Sequence, residues 1–163
     1  MKKILLLSDT HGYIDNHMMN YVNEADEVWH AGDIGSIEVT DKISSAKPLR
    51  AVYGNIDNAQ IRVSFPKDLT FTSEGVHVFM THIGGRPGRY AKGVSQKLKS
   101  LHPKIFICGH SHILKIQFDQ AHQLLFINPG AMGKHGFHKV RTMVRFELFD
   151  GEIKNMEVIE VKR

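Results

Sequence analysis

The sequence predicts an α/β fold in which two β-sheets lie face to face, with helices on the outside. The first half alternates short apolar runs at 2–7, 27–31 and 49–53 with helically spaced apolar residues. This β-α-β-α-β order predicts a partly parallel sheet with right-handed crossovers. The last third is rich in strand patterns, and its Asp150-Gly151 pair is typical of a hairpin turn. Two β-rich halves around one crevice imply a two-sheet sandwich.

Two helices are predicted between the first three strands. Ile14 and Met18 lie on one helical face, and Asp15 suits a helix N-terminus because a carboxylate complements the helix dipole. Ser36 is a good N-cap for a second helix over 37–46. These helices supply the crossovers that a parallel sheet requires.

The middle of the chain is predicted to be less regular. The weak pattern over 58–66 predicts a loop, and the runs at 69–72 and 76–81 predict a hairpin. A flexible loop is expected over 84–89, followed by a helix over 90–101. The remaining strands are predicted at 105–108, 113–118, 124–127, 139–149 and 152–161.

Length and composition predict one domain, residues 1–163, of an ordinary globular protein. The chain is 42% hydrophobic and 23% charged, and no apolar stretch is long enough to cross a membrane, so we expect a cytoplasmic protein without a membrane partner. Its single cysteine, Cys108, excludes an internal disulfide and lies in an apolar run that favours inert packing. The formal charge of +4 comes from scattered Lys and Arg, which fits an anionic substrate better than nucleic acid. A homo-oligomer is allowed.

The segment from Lys104 to His112, K-I-F-I-C-G-H-S-H, carries the main functional signal. Its apolar run predicts a buried strand, and Gly109 lets the backbone turn. If the backbone stays extended, His110 and His112 point the same way and offer two imidazoles to one point. Imidazole is a common ligand of first-row metal ions. A pair of surface histidines at a turn is the alternative.

Polar residues of ligand type follow four other predicted strands. These residues are Asp9 with His11, Asp33, Asn55 and His82. In open α/β sheets, ligands bind in the crevice beyond the carboxyl ends of the strands. Five strand ends of this kind favour a metal site over isolated surface histidines.

The ordered blocks Asp9-x-His11, Gly32-Asp33, Gly54-Asn55, His82 and Gly109-His110-x-His112 resemble the calcineurin-like metallophosphoesterase superfamily. The small size resembles its compact prokaryotic phosphodiesterase branch, and the match spans nearly the whole chain. The resemblance implies a four-layer α/β/β/α sandwich of two mixed β-sheets with a dinuclear metal centre. It places one metal on Asp9, His11, Asp33 and His112 and the other on Asp33, Asn55, His82 and His110.

The resemblance also implies a reaction. A hydroxide between the two cations would attack the phosphorus of a small phosphoester, most readily a phosphodiester. Asp33, Asn55 and His82 are the expected catalytic residues. Mixed nitrogen and oxygen ligands favour Mn, Fe, Zn, Co or Ni over Mg or Ca, and Mn²⁺ is the expected ion.

Three further residues are predicted to bind substrate. Arg86 and Arg89, in the loop after His82, would bind phosphate, although a solvated linker is an alternative for this segment. Asn128, in the turn Asn128-Pro129-Gly130, corresponds to a late turn of the phosphodiesterase branch.

One position departs from the family pattern. Many members have a histidine directly after the Gly-Asn pair, thought to protonate the leaving group, and this chain has Ile56 there. Asp57, His135 and His138 are the alternative proton donors. The departure leaves the predicted metal ligands intact.

Two other functions are alternatives for this sequence. The retromer complex contains a small subunit of the same fold that serves as a scaffold, so a metal-stabilised interaction module is the alternative to a hydrolase. All seven ligand positions are occupied by competent residues, which favours the hydrolase. A Rossmann domain is disfavoured because no G-x-G-x-x-G follows the first strand.

Overall fold

Twelve strands and four helices follow one another along residues 1–163, all of which are described by this computed structural model. The strands are β1 (Lys2–Leu7), β2 (Glu27–His30), β3 (Leu49–Ala51), β4 (Asp68–Ser73), β5 (Val76–Thr81), β6 (Gly85–Arg86), β7 (Arg89–Tyr90), β8 (Ile105–Ile107), β9 (Lys115–Asp119), β10 (Leu124–Asn128), β11 (Val140–Phe149) and β12 (Glu152–Lys162). The helices are α1 (Asn16–Glu24), α2 (Ile37–Ala46), α3 (Ala59–Ser64) and α4 (Val94–Leu101).

The strands form two five-stranded mixed sheets and one small hairpin. The first sheet has the order β12-β11-β1-β2-β3, and β1, β2 and β3 are parallel. The second has the order β4-β5-β8-β10-β9, and β5, β8 and β10 are parallel. The predicted pair of mixed sheets is therefore confirmed. Within each parallel set the carboxyl ends lie at one edge, which is where the candidate ligands follow.

The helices cover the outer faces of the two sheets and give four layers. Met18 of α1 and Ile43 of α2 share a core with the first sheet, and Leu98 of α4 packs with Phe79 and Phe106 of the second. A third core fills the space between the sheets, and it includes Ile4, Leu6, Trp29, Val78, Ile105 and Val144. Each such fully buried side chain stabilises the fold by about 1.5–3 kcal/mol, so the three cores hold the strand ends in place.

Helix starts follow the predicted capping chemistry. Asp15 is the N-cap of α1 and accepts a hydrogen bond from the amide of Met18 at 2.8 Å. Ser36 is the N-cap of α2. Residues 8–15 join β1 to α1, and the Asp9–His11 segment lies in this connection, directly after the strand.

Two predictions for the middle of the chain are wrong in detail. The segment 58–66 is not a loop throughout, because α3 begins after Asn58, whose side chain accepts from the amide of Ile61 at 3.1 Å. The helix expected over 90–101 begins only at Val94, and Tyr90 belongs instead to the hairpin of β6 and β7, which also takes up residues 85–89 of the expected flexible loop. A six-residue helix with one buried side chain gives too little periodicity to detect.

Two further observations concern Cys108 and membrane spans. Cys108 is buried, and burial raises the pKa of its thiol to about 12, which fits inert packing. No helix of this protein has the length and apolarity needed to cross a bilayer.

Candidate metal centre

Residues from five strand ends meet at one edge of the sandwich. Their ligand atoms form two groups, and within each group the atoms lie within 4.8 Å of one another. The first group is Asp9, His11 and His112, and the second is Asp33, His82 and His110. Asn55 joins the second group, because its Oδ1 lies 3.0 Å from His110 Nδ1. All seven predicted ligand residues thus lie together.

Asp33 connects the two groups. Its Oδ2 lies 3.5 Å from His11 Nε2 and 3.2 Å from His82 Nε2. His82 Nε2 is also 3.8 Å from Asp9 Oδ1, and His112 Nε2 is 3.2 Å from the same oxygen. Carboxylate oxygens and imidazole nitrogens of both ligand groups therefore face the same small volume.

The protein holds one oxygen of each carboxylate and leaves the other free. Asp9 Oδ2 accepts hydrogen bonds from Ser8 Oγ at 2.6 Å and from the His110 amide at 3.1 Å. Asp33 Oδ1 accepts from the amide of Ile56 at 3.1 Å. The oxygens that face the histidines, Asp9 Oδ1 and Asp33 Oδ2, are left available for a cation.

Three buried ligand atoms have no hydrogen-bond partner: Asp9 Oδ1, His11 Nε2 and His82 Nε2. His82 Nε2 is close to Asp33 Oδ2 but not in hydrogen-bonding geometry with it. Its other ring nitrogen, Nδ1, donates to the carbonyl oxygen of Ala31 at 2.8 Å, so in the neutral imidazole Nε2 carries the lone pair. Buried polar atoms are normally paired, and a cation satisfies all three at once. The residues present fit a metal centre.

The backbone that carries the ligands is not extended, so the extended geometry expected for His110 and His112 is wrong. Five of the seven residues lie in the left-handed region, with φ of 54° (Asp9), 46° (His11), 53° (Asp33), 73° (His110) and 62° (His112). This region is uncommon for residues other than glycine and is typical of functional turns. His110 and His112 accordingly join different ligand groups rather than one point.

Two glycines let the ligand loops approach one another. A Cβ at Gly54 would lie 2.1 Å from Asp33 Oδ1, and a Cβ at Gly109 would lie 2.6 Å from Asp9 Oδ2. Both carboxylates are therefore packed directly against backbone that only glycine can provide. In the Gly54-Asn55 and Gly109-His110 pairs, the glycine is therefore required for steric reasons, and the residue after it is a candidate metal ligand.

Burial and nearby imidazoles shift the pKa values of the central groups. Burial alone would raise the pKa of Asp9, but His11, His112, His82 and Ser8 together lower it well below its usual range. Burial likewise opposes ionisation of Asp33, whose pKa is nevertheless lowered by His82 and the Ile56 amide. Burial disfavours protonation of His82, yet the two carboxylates raise its pKa. Both carboxylates are thus held as anions.

Asp57 and His30 are buried residues that accept hydrogen bonds from backbone amides of the ligand loops. Asp57 is buried and accepts from three backbone amides, those of Ile34, Gly35 and Gly54, at 3.1, 2.8 and 2.7 Å. It ties the Asp33 loop to the Asn55 loop, which leaves it engaged rather than available as a proton donor.

His30 is fully buried, and both of its ring nitrogens are paired. Nδ1 accepts from the Gly32 amide at 3.1 Å, so Nε2 donates to Thr10 Oγ1 at 2.9 Å. Burial lowers the pKa of His30 to about 4.

The sequence did not reveal the roles of Ser8 and Thr10, since a small hydroxyl residue after a strand carries no distinctive pattern.

The predicted substrate residues lie in different settings. Arg86 and Arg89 are exposed on the β6–β7 hairpin. Asn128 is buried, and its Nδ2 donates to Gly109 O at 3.0 Å and to Ser111 Oγ at 3.1 Å, while its Oδ1 accepts from the Gly130 amide. Its polar atoms are therefore occupied by the turn that carries His110 and His112.

The loop from Gly133 to His138 lies over two of the ligands. The ring of His135 stacks on that of His11, with centroids 4.8 Å apart, and the ring of His138 meets that of His112 edge-on at 5.3 Å. His138 Nε2 donates to the Gly133 carbonyl oxygen at 2.8 Å. Of the three alternative proton donors, only His135 is exposed and without such a bond.

Comparison with known proteins places this geometry in context. Residues 1–151 match the model of the calcineurin-like phosphoesterase superfamily domain. A probable metallophosphoesterase of Mycoplasma pneumoniae is 28% identical over 162 residues, covering 96% of each chain. Vps29 of Entamoeba histolytica, solved with Zn²⁺, superposes with a TM-score of 0.75 at 17% identity and 98% coverage of both chains. An archaeal phosphodiesterase superposes with a TM-score of 0.73 at 21% identity, covering 98% of this chain and 99% of its own. The two structural likenesses show the fold.

Proposed function

We propose that this chain, which belongs to the calcineurin-like phosphoesterase superfamily, is a phosphodiesterase that uses two divalent cations. The observation that carries the proposal is the set of three buried ligand atoms without a partner, Asp9 Oδ1, His11 Nε2 and His82 Nε2. Leaving such atoms unpaired costs free energy, whereas cations at this position satisfy them. The family of phosphoesterases to which the chain belongs uses divalent metals in this way.

Asp33 is the residue proposed to contact both cations, because its Oδ2 faces His11 on one side and His82 on the other. The first cation would be held by Asp9, His11, Asp33 and His112, and the second by Asp33, Asn55, His82 and His110. This assignment follows the two ligand groups, with Asn55 placed in the second by its contact with His110. Carboxylate, amide and imidazole donors suit Mn, Fe, Zn, Co or Ni, and we expect Mn²⁺.

When bound, the two cations supply Lewis-acid polarisation of the phosphoryl group and a water of lowered pKa as nucleophile. The protein's part is orientation. Ser8 and the His110 amide fix Asp9, the Ile56 amide fixes Asp33, and the Ala31 carbonyl fixes the ring of His82. Ligands fixed in this way would hold the cations, and a phosphoester bound to them, without rearrangement during the reaction.

Substrate residues follow from their settings. Arg86 and Arg89 are exposed on a hairpin that begins three residues after His82, and we propose that they attract an anionic phosphoester. For Asn128 we propose a positioning role instead. It fixes the carbonyl of Gly109 and the hydroxyl of Ser111, and so acts on His110 and His112 through their turn.

A protein-interaction module of the same fold is the second candidate. It is favoured by Ile56, which is apolar and about half exposed where a proton donor was expected. Vps29 is a fold neighbour. Turnover separates the two functions, because an interaction module needs the metal at most for its structure.

The test is metal-dependent hydrolysis. Protein stripped by a chelator is expected to be inactive on bis(p-nitrophenyl) phosphate, and Mn²⁺ is expected to restore turnover, with p-nitrophenyl phosphate hydrolysed more slowly. His82→Ala should not recover activity, while His17→Ala, an exposed histidine of α1, serves as the matched control. No turnover with Mn²⁺, Fe²⁺, Zn²⁺, Co²⁺ or Ni²⁺ on either ester would refute the hydrolase and leave the interaction module.

A further inference from the structure

Several exposed apolar residues lie directly beside candidate metal ligands in the chain. Eleven large hydrophobic residues are exposed in this protein, and three of them directly follow a ligand residue in the chain. These three are Ile56 after Asn55, Ile83 after His82 and Ile113 after His112. A fourth, Phe137, lies in the loop that covers His11 and His112. We call these four residues the apolar rim.

Phe137 is held beside the centre by its neighbours in the loop. On one side of it, His135 stacks on His11, and on the other, His138 packs against His112. Gly136 lies so close that a Cβ there would be 2.4 Å from His112 Nδ1. The loop is also tied to the segment after β1, because the Gly133 amide donates to the Asp9 carbonyl at 3.0 Å. Phe137 therefore lies between two histidines that contact ligands, and its ring is fully exposed.

The apolar rim restricts what kind of phosphoester fits. Cations bound at the centre would take the anionic phosphoryl group. The rim adds three branched aliphatic side chains and one flat aromatic ring, which gain free energy when an apolar group covers them. A planar substituent can stack on Phe137, whereas a small alkyl or polar group leaves most of this surface in water.

We propose that the apolar rim selects phosphodiesters in which the ester group that is retained carries an aromatic ring, either an aryl group or a nucleobase. The proposal rests on the proposed hydrolysis at the metal centre and adds the class of substrate. Phe137 is the main contact for the ring. The three isoleucines, each exposed and next to a ligand residue in the chain, would contact the remainder of the substituent.

The test uses diesters that share one leaving group. In each, the oxygen of water bonds to phosphorus, the bond to p-nitrophenolate breaks, and the proton of the water goes to solvent. The retained groups are ethyl, phenyl and thymidine 5′-yl, so the phenyl and thymidine arms distinguish an aryl site from a nucleobase site. Because the diesters differ in intrinsic reactivity, the quantity compared is the kcat/KM ratio, aromatic over ethyl, between wild-type protein and variants.

Phe137→Ala is expected to lower that ratio about 3- to 10-fold, the range that one aromatic contact provides, and to do so through KM for the aromatic diester. Phe137→Tyr should keep the wild-type ratio. Phe149→Ala removes another exposed phenylalanine, at the end of β11, and should leave the ratio unchanged. Since both side chains are exposed, these variants are expected to fold.

An unchanged ratio in Phe137→Ala would overturn the proposal, and it is the result expected if the apolar rim instead contacts a protein. A drop of equal size in Phe149→Ala would overturn it as well. Hydrolysis of none of the three diesters would refute the proposed function instead. In that case, calorimetry on the Mn²⁺-loaded protein with phenylphosphonate and ethylphosphonate decides: tighter phenylphosphonate binding that is lost in Phe137→Ala supports the apolar rim, and equal binding of the two overturns it.

Discussion

Replacing Ile56 with histidine should change how the hydrolysis rate depends on the leaving group. The amide of residue 56 donates to Asp33 Oδ1 at 3.1 Å, so any side chain at this position begins at the metal centre. Ile56 cannot donate a proton to a departing oxygen. The native protein is therefore expected to hydrolyse aryl diesters, whose leaving groups are stable anions, much faster than unactivated alkyl diesters.

The size of the effect follows from what else lies nearby. Asp57 accepts from three backbone amides, and the Nε2 proton of His138 is already donated to the Gly133 carbonyl. A positioned general acid typically contributes about 10²–10⁴-fold, which corresponds to roughly 3–5 kcal/mol of barrier. In Ile56→His, alkyl diesters should gain toward the lower end of that range, and nitrophenyl diesters should change by less than about threefold.

The assay is a series of diesters of graded leaving-group pKa, run on both proteins with Mn²⁺. The plot of log rate against leaving-group pKa should be less steep for Ile56→His. Val63→His, an exposed aliphatic residue of α3 replaced in the same way, should keep the native slope. Equal slopes in the native protein and Ile56→His would refute the reasoning. Steepening of the slope in His135→Ala would then identify His135 as the acid already present.

Two other variants test the centre and its support. Asp33→Asn removes the charge proposed to be shared by both cations, so it should abolish hydrolysis and lower bound Mn²⁺ while the circular dichroism spectrum is retained; full activity would exclude the mechanism. Burial lowers the pKa of His30 to about 4, whereas an unfolded histidine titrates near 6.5. The unfolded state therefore binds the extra proton, and stability that is present above about pH 6.5 is lost as the pH falls toward 4, by about 3 kcal/mol. Urea unfolding of metal-free protein at pH 8 and pH 5 should show a smaller difference in His30→Gln than in the native chain, and equal differences would contradict this role.

Much of the site could be predicted because its signals are local. The short apolar runs before Asp9 and His110 read as buried strands, and a glycine or polar turn directly after each placed ligand-type residues at the sheet edge. Parallel strand order then brings those edges together. The order in which these Asp, His and Asn residues follow one another along the chain is the basis of the family resemblance.

What could not be predicted depends on contacts between distant segments. The backbone at Asp9 and His110 is left-handed, and their amides donate to other loops, to the Gly32 carbonyl and to Asp9 Oδ2. The extended backbone expected at His110 and His112 would have directed both imidazoles to one point, whereas they join different ligand groups. Asn128 was expected to contact substrate, but its amide is engaged by a turn 17 to 19 residues earlier in the chain. The placement of the Phe137 loop had no sequence signal, since it depends on His135 stacking on His11 and His138 packing edge-on against His112.

The most direct test of the account is to crystallise the protein with Mn²⁺ and collect anomalous diffraction data near the manganese absorption edge. The account predicts two anomalous peaks per chain about 3.5–4 Å apart, with the carboxylate of Asp33 in contact with both. A single peak, or two peaks of which Asp33 touches only one, would contradict the dinuclear centre.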